Sequence, residues 1–280
     1  MTLPRLFVFV AMALAISAAC LPHGAAKPIY RGVATNAWSG GCADINALSR
    51  MSWYYNWGLQ PTANVASCHL GSRYVEFVPM VWGAGSVPNL VSKLPANTKH
   101  LLGFNEPNFA SQANLSPRAA ATEWKKVIAQ LDAAGLTGKI KLGTPSAAPG
   151  GNIGPKEWFA QFFGNCTGCH FDFLCFHIYD CNAPWFDAGA VNYWLGQVKG
   201  FGLPIWLTEF DCPSNSVANE LTWMERVLGS LDSDPHVERY AWFTARATNV
   251  GTAPSLLNSA AGSLTQVGAH YNSKGDRLTP

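Results

Sequence analysis

The chain has 280 residues, of which 48% are hydrophobic and 13% are charged, and its formal net charge is +2. This composition excludes a disordered or fibrous protein and is sufficient for a large hydrophobic core. The nearly neutral charge gives no electrostatic basis for binding nucleic acid.

The N-terminus predicts a secretory signal peptide over residues 1–26. Arg5 is followed by an uncharged run from Leu6 to Ala19 and then by small residues, which is the usual order in a cleaved signal. The run is short for a transmembrane helix, and a retained anchor is the alternative. We expect cleavage near Ala26, with Ala19 as the second choice. The mature chain, residues 27–280, is then secreted to the medium or the cell wall without membrane contact.

Eight apolar segments predict eight strands, in chain order at 31–35, 51–57, 74–82, 99–105, 139–145, 171–179, 204–210 and 237–245. Segments with helical spacing lie between them. The clearest is 116–135, where Ser116 can cap the helix, Pro117 suits its first turn and Gly135 ends it. Further helices are predicted at 87–94, 154–164, 185–202 and 217–232, and a final helix is predicted after residue 252.

Strands that alternate with helices and have nearly continuous apolar centres are typical of a parallel sheet. With eight such units, the sequence predicts an α/β fold: a single-domain (β/α)8 TIM barrel. A doubly wound open sheet is the alternative. In a barrel, functional side chains lie at the carboxyl ends of the strands, so candidate site residues are expected at these positions.

Two predicted strands end in carboxylates that the strands do not require. Glu106 follows "LLGFN", and Glu209 follows "IWLT". Pro107 disfavours the helical region for the preceding residue and predicts an extended Glu106. Paired carboxylates across a cleft suit glycoside hydrolysis, in which one protonates the leaving oxygen and the other attacks or activates water. Each carboxylate alone could form a strand-end salt bridge, but the pair among aromatic residues favours catalysis.

Other polar and aromatic residues at the predicted strand ends are candidates for binding substrate. Aromatic side chains often line grooves for ring-shaped ligands, and eleven tryptophans exceed what a core of this size requires. Core packing is the alternative for each tryptophan and for the histidine. The candidates are Asn36, Trp38, Tyr55, Trp57, Trp82, Asn105, His177, Tyr179, Trp242 and Arg246.

The motifs "GFNEPN", "FHIYD", "PIWLTEFDCP" and "RYAWFTAR", with "WYYNW" and "EFVPMVWG" upstream, together resemble glycoside hydrolase family 128. This family of endo-β-1,3-glucanases is also described as a glycosyl hydrolase catalytic core, and the resemblance covers nearly the whole mature chain. It implies a retaining mechanism with Glu106 as general acid/base and Glu209 as nucleophile. It also implies that Asn105 donates to the sugar 2-hydroxyl and that Tyr179 holds the nucleophile.

The residues themselves agree with these roles but leave the partners of Glu209 open. Glu106 has Phe104 and Pro107 as neighbours, a less polar setting that suits a general acid. An ionised Glu209 needs hydrogen-bond donors, which residues 177, 179 or 208 could supply. The predicted function is therefore a secreted endo-β-1,3-glucanase, expected to be a monomer. The alternative is a glucan-binding cell-wall protein in which one carboxylate is not catalytically active.

Cysteine usage agrees with export. Cys20 is removed with the signal, and six of the remaining seven cysteines are expected to pair in an oxidising compartment. Cys175 lies inside an apolar strand and is the candidate for the free thiol. Strands six and seven are neighbours in a barrel, so Cys181 and Cys212 are predicted to pair. The other predicted bridges are Cys42–Cys68 and Cys166–Cys169.

Competing motifs are weaker. The segment "CTGCH" at 166–170 matches a c-type haem attachment pattern, and its cysteines could imitate a zinc site, but the export signal favours disulfides. The sequence has no HExxH, no GxSxG and no phosphate-binding loop, so no cofactor or metal is expected. Sequons at Asn114 and Asn165 agree with a eukaryotic secretory route.

Overall fold

A computed structural model describes residues 30–68, 73–212, 216–247 and 255–273. The predicted signal peptide, its cleavage site and Cys20 lie outside these residues. All eight predicted strands occur, as β1 Tyr30–Ala34, β2 Trp53–Tyr55, β3 Glu76–Phe77, β4 His100–Leu101, β5 Lys141–Leu142, β6 Leu174–Ile178, β7 Ile205–Phe210 and β8 Val237–Phe243. No helix among the described residues combines the length and the apolar character that crossing a membrane requires.

Helices follow the strands as predicted. They are α1 Cys42–Ala47, α2 Leu90–Lys93, α3 Pro117–Ala133, α4 Pro155–Asn165, α5 Gly189–Val198, α6 Val217–Ser233 and α7 Gln266–Ser273. The short α1 is not predicted by the sequence patterns. In α3, Ser116 Oγ accepts a hydrogen bond from the Ala119 amide at 3.2 Å, and Gly135 has a φ of +65° beyond the helix end. The predicted cap and stop of this helix are therefore confirmed.

The sheet is parallel and closes into a barrel. Six strands pair in the order β3-β2-β1-β8-β7-β6, and β4 pairs with β5. Isolated bridges join Met80 to Leu102 and Gly143 to Phe173, which connects the β4–β5 pair to the six-stranded sheet on both sides. Because β1 also pairs with β8, the ring is continuous, and the open-sheet alternative is wrong. Strand β3 is shorter than predicted, since Pro79 has no amide hydrogen for the ladder.

Large side chains fill the barrel near the amino ends of the strands. Phe173 stacks on Trp206 with ring centroids 3.8 Å apart, and the Trp53 indole takes the space that a Cβ at Gly32 would need. The Arg239 guanidinium lies 4.0 Å from the Trp206 ring centroid and donates to Glu76. These contacts close one end of the barrel, so chemistry is confined to the other end.

Three disulfides connect loops outside the strands. Cys42 pairs with Cys68, Cys166 with Cys169, and Cys181 with Cys212. Cys175 is free and buried. The three pairings and the free thiol all match the predictions. The Cys166–Cys169 bridge removes both thiols of the haem-like motif. The Cys181–Cys212 bridge ties the segment after β6 to the segment after β7.

Candidate active site

A cleft of about 530 Å³ lies at the carboxyl ends of the strands and contains both predicted carboxylates. Six of the predicted site residues line it: Trp57, Trp82, Asn105, Glu106, Tyr179 and Glu209. Six further residues that were not predicted also line it: Phe109, Gln112, Ala148, Pro149, Asp180 and Phe243. Phe109, Gln112, Ala148 and Pro149 stand in loops beyond a predicted strand, where neither periodicity nor a motif distinguishes them. Asp180 and Phe243 fall inside the motifs "FHIYD" and "RYAWFTAR", but nothing in those motifs alone marks them as cleft residues.

Glu209 is held by three hydrogen-bond donors. Its Oε1 accepts from Tyr55 Oη at 2.7 Å and from Trp57 Nε1 at 2.8 Å, and its Oε2 accepts from the Tyr179 hydroxyl. Burial and then the charge of Glu209 raise the pKa of both phenols well above their usual value, so they stay protonated and donate. Thr208 bonds instead to the Phe176 carbonyl. These three donors fix the orientation of the Glu209 carboxylate in the cleft.

His177 lies between the two carboxylates. Its Nδ1 is 3.1 Å from Glu106 Oε1, and its Nε2 is 3.4 Å from Glu209 Oε1 without the alignment of a hydrogen bond. A register shift after Phe176 pairs His177 with Glu209, which brings the imidazole beside that carboxylate. Burial opposes protonation of the ring, but the charge of Glu209 and the hydrogen bond to Glu106 outweigh it and raise the pKa of His177.

One oxygen of each carboxylate and one nitrogen of His177 lie within 4.8 Å of one another. Residues of these types can hold a metal ion. Here, however, the two ring nitrogens face different carboxylates, and a single ion binds only one of them. The arrangement suits a protonated imidazole shared between two acids, and we interpret it as proton-handling machinery rather than a metal centre.

Glu106 has an unusual backbone conformation. Its φ is +38°, in the left-handed region that non-glycine residues avoid, which corrects the predicted extended conformation. The Glu106 amide donates to the Ser146 carbonyl at 3.1 Å, and the Phe109 amide donates to the Glu106 carbonyl at 3.0 Å. These bonds maintain the turn, and the side chain is 11% exposed at the cleft. Tertiary contacts thus determine the backbone conformation of Glu106, which the following proline does not determine by itself.

Asn105 is anchored by a residue that the sequence patterns do not identify. Its Nδ2 donates to Gln112 Oε1 at 3.2 Å, while its Oδ1 is buried without a partner. The Nδ2 group carries a second N–H, so its donation to a sugar 2-hydroxyl, which the family resemblance implies, stays a prediction. Gln112 orients the Asn105 side chain beside Glu106.

The predicted aromatic platforms divide into two groups. Trp82 is 36% exposed, and Trp57 is partly exposed in the cleft. Trp38 and Trp242 are 1% and 0% exposed and pack against other aromatic rings, Trp38 edge-on to Tyr54. Their positions correct the prediction that both rings are open to sugar. Whether a large aromatic residue at a strand end is buried depends on whether its ring faces the core or the cleft. Its position in the sequence alone does not show this.

Arg246 and Asn36 do not line the cleft. Asn36 is exposed in the segment after β1. Arg246 forms a two-bond ion pair with Asp44, at 2.5 and 2.9 Å, and donates to the Ala37 and Asn258 carbonyls. The predicted substrate contact of Arg246 is thus replaced by a structural one, which joins three segments of the barrel rim.

Replacing Arg246 with methionine is expected to destabilise the fold by about 3–5 kcal/mol near neutral pH, because Asp44 would stay buried without its cation. Burial opposes ionisation of Asp44, but hydrogen bonds from Arg246, Gly262 and Gly40 lower its pKa. The stability that Asp44 contributes is therefore fully present above its pKa in the unfolded chain. It is lost as pH falls through the lower pKa of Asp44 in the folded protein. Urea unfolding at neutral pH and near pH 3 should show the wild-type advantage shrinking in acid. An advantage of equal size at both pH values would contradict this assignment.

A larger cavity, of about 590 Å³, lies beside α7 and is lined by residues such as Leu257 and Val267. Among the described residues no carboxylate lines it, whereas both predicted carboxylates line the cleft.

The closed barrel, the two neighbouring carboxylates and the aromatic cleft define the class of protein: a glycoside hydrolase fold with a two-carboxylate site. Residues 32–271 match the family described as glycosyl hydrolase catalytic core. The chain belongs to this family, which is the family that its motifs resemble.

Two solved structures and one curated protein are similar to the chain. A family 128 subgroup II endo-β-1,3-glucanase from Sorangium cellulosum is 34% identical with a TM-score of 0.77, over 89% of this chain and 100% of that one. A subgroup I enzyme from Amycolatopsis mediterranei, in complex with laminaritriose, is 29% identical with a TM-score of 0.71, over 88% and 99%. Alkali-sensitive linkage protein 1 of Schizosaccharomyces pombe is 32% identical over 82% of this chain, which spans 42% of that protein.

Proposed function

We propose that this protein is a secreted, retaining endo-β-1,3-glucanase with Glu209 as nucleophile and Glu106 as general acid/base. The observation that carries the proposal is the proximity of the two carboxylates: one oxygen of each lies within 4.8 Å of the other. Retaining glycosidases hold their carboxyl groups about 5–5.5 Å apart, whereas inverting enzymes need about 6.5–9.5 Å to admit water. This proximity therefore supports the retaining mechanism.

In the first step, Glu209 attacks the anomeric carbon while Glu106 protonates the departing glycosidic oxygen. Tyr55, Trp57 and Tyr179 orient the attacking carboxylate. In the second step, Glu106 removes a proton from water, which displaces Glu209 from the glycosyl-enzyme. When His177 is protonated, it donates to Glu106 and offsets the negative charge of the two carboxylates in both steps.

The substrate assignment rests on the solved relatives and on the cleft. The similar family 128 enzyme from Amycolatopsis mediterranei, or a mutant of it, forms complexes with laminaritriose, laminaripentaose and laminarihexaose, which are β-1,3-linked glucose oligomers. Trp57, Trp82 and Phe243 give this cleft the aromatic surface that sugar rings pack against. Secretion is supported by the predicted signal and by the three disulfides.

Incubation of residues 27–280 with laminarin is expected to release new reducing ends, and the first anomer released from a laminari-oligosaccharide should be β. A reducing-sugar assay and ¹H NMR within the first minutes, before mutarotation, measure the two results. The matched control is Glu209→Gln, which keeps the shape of the cleft. Binding of laminarin without release of sugar would favour the glucan-binding alternative, and an α anomer first would exclude retention.

A further inference from the structure

Two carboxyl groups that the proposed mechanism does not use are buried beside the nucleophile. Asp211 follows Glu209 by two residues and is 3% exposed, and Glu220 in the first turn of α6 is 0% exposed. Within the described ranges neither forms an ion pair, and Asp211 Oδ1 and Glu220 Oε2 have no hydrogen-bond partner. Glu220 Oε1 accepts one bond, from the Cys212 amide at 3.2 Å.

Three ionisable groups face Asp211. They are Glu209 from β7, Glu220 from α6 and the Tyr179 phenol from the segment after β6. None is a cation, so ionised Asp211 would be a buried charge with no compensation, which is unfavourable. Burial and then the charge of Glu209 raise the pKa of Asp211 to about 8. Burial and then the charge of Asp211 likewise raise the pKa of Glu220 to about 8.

The position of this pair links it to the nucleophile. The Cys181–Cys212 disulfide joins the residue after Asp211 to the segment that carries Tyr179, and Tyr179 donates to Glu209. A negative charge at Asp211 would repel Glu209 and would also offer the Tyr179 hydroxyl a competing acceptor. Neutral Asp211 leaves that hydroxyl to Glu209.

We propose that Asp211 and Glu220 are positioning residues: a proton-holding carboxyl pair that keeps Glu209 and its Tyr179 donor in place, and whose ionisation lowers activity at alkaline pH. The inference rests on the proposed glucanase function. It predicts that these two buried acids contribute a loss of activity at alkaline pH in addition to any loss from deprotonation of the general acid Glu106 or of His177.

The pair also has a consequence for stability that does not depend on activity. Both acids ionise near their ordinary values, about 4, in the unfolded chain, and near 8 in the folded protein. Between these values the folded state binds more protons than the unfolded state, so stability falls as pH rises through the window. Once the pH is above the pKa values of the two acids in the folded protein, this loss of stability is complete.

The experiment compares Asp211→Asn, Glu220→Gln and the exposed, charge-matched control Glu157→Gln with the wild-type mature protein. Thermal midpoints and laminarin hydrolysis, resolved into kcat and KM, are measured from about pH 5 to pH 9.5. Asp211→Asn is expected to flatten the fall in the midpoint and to be more stable than wild type at the alkaline end. At about pH 9, one unit above the proposed ionisation, kcat as a fraction of its plateau value should be about tenfold lower for wild type than for Asp211→Asn.

Glu220→Gln gives a second test in case Asp211→Asn folds poorly. It is expected to shift the pH profiles of the thermal midpoint and of kcat in the same direction as Asp211→Asn does. The Glu157→Gln profiles should follow wild type. An alkaline limb that stays at its wild-type position in both variants would overturn the catalytic part of the proposal, even if the midpoint profile flattens. Unchanged midpoint profiles would overturn the proton-holding pair itself. A wild-type protein with no glucanase activity would contradict the proposed function, and the midpoints would still test the pair.

Discussion

Glu209→Ala is expected to hydrolyse laminarin at least about 10⁴-fold more slowly than wild type, because the residue proposed to form the covalent intermediate is gone. Azide should restore turnover of an activated aryl β-laminari-glycoside by entering the vacated space. Since azide would attack from the nucleophile's side in a single displacement, the product should be the inverted α-glycosyl azide. ¹H NMR of the anomeric proton identifies it.

Glu106→Ala provides the complementary result. An aryl leaving group needs little protonation, so the glycosyl-enzyme should still form, but hydrolysis should slow by about 10²–10⁴-fold for want of a general base. Azide then attacks the intermediate in place of water, and the product should be the retained β-azide. The exposed acid Glu157, replaced by alanine, is the control and should keep the wild-type rate. Exchange of the two azide products would reverse the roles of Glu106 and Glu209.

Trp242→Ala is expected to lose about 3–5 kcal/mol of folding free energy, a large share of the total for a domain of this kind. The Trp242 ring is 0% exposed and packs against Phe210 and Trp223, with centroids 5.1 and 6.0 Å away. Its removal would leave a cavity between β8 and α6 that backbone movement cannot fill. Chemical unfolding of the two proteins measures the difference.

Trp82→Ala is the matched cleft variant. Because the Trp82 ring is 36% exposed, the thermal midpoint should stay within about 4 °C of wild type, a shift that corresponds to at most about 1–2 kcal/mol. KM for laminarin should rise several-fold if the ring packs on sugar. A large loss of stability in Trp82→Ala, or a small one in Trp242→Ala, would contradict the assignment of the two residues.

The features of this protein that sequence alone predicts are those that repeat along one dimension. Apolar strand centres alternating with helical segments predict the barrel, because each strand must be covered on its outer face by the helix that follows it. The same order predicts that Glu106 and Glu209 lie at one end of the barrel, since the carboxyl ends of parallel strands meet there. Cys181 and Cys212 are predicted to pair for the same reason.

Side-chain partnerships across the closed barrel are decided only by the tertiary structure. Tyr55 and Glu209 are 154 positions apart, and their contact exists because the ring closes. The pairing of Arg246 with Asp44 spans 202 positions and turns a predicted substrate contact into a structural one. In the same way, Asp211 lies inside the motif that contains Glu209, yet its lack of a cation among the described residues depends on what α6 and the segment after β6 place around it. Periodicity records which face of an element is buried, but the partners on that face are set by packing in three dimensions.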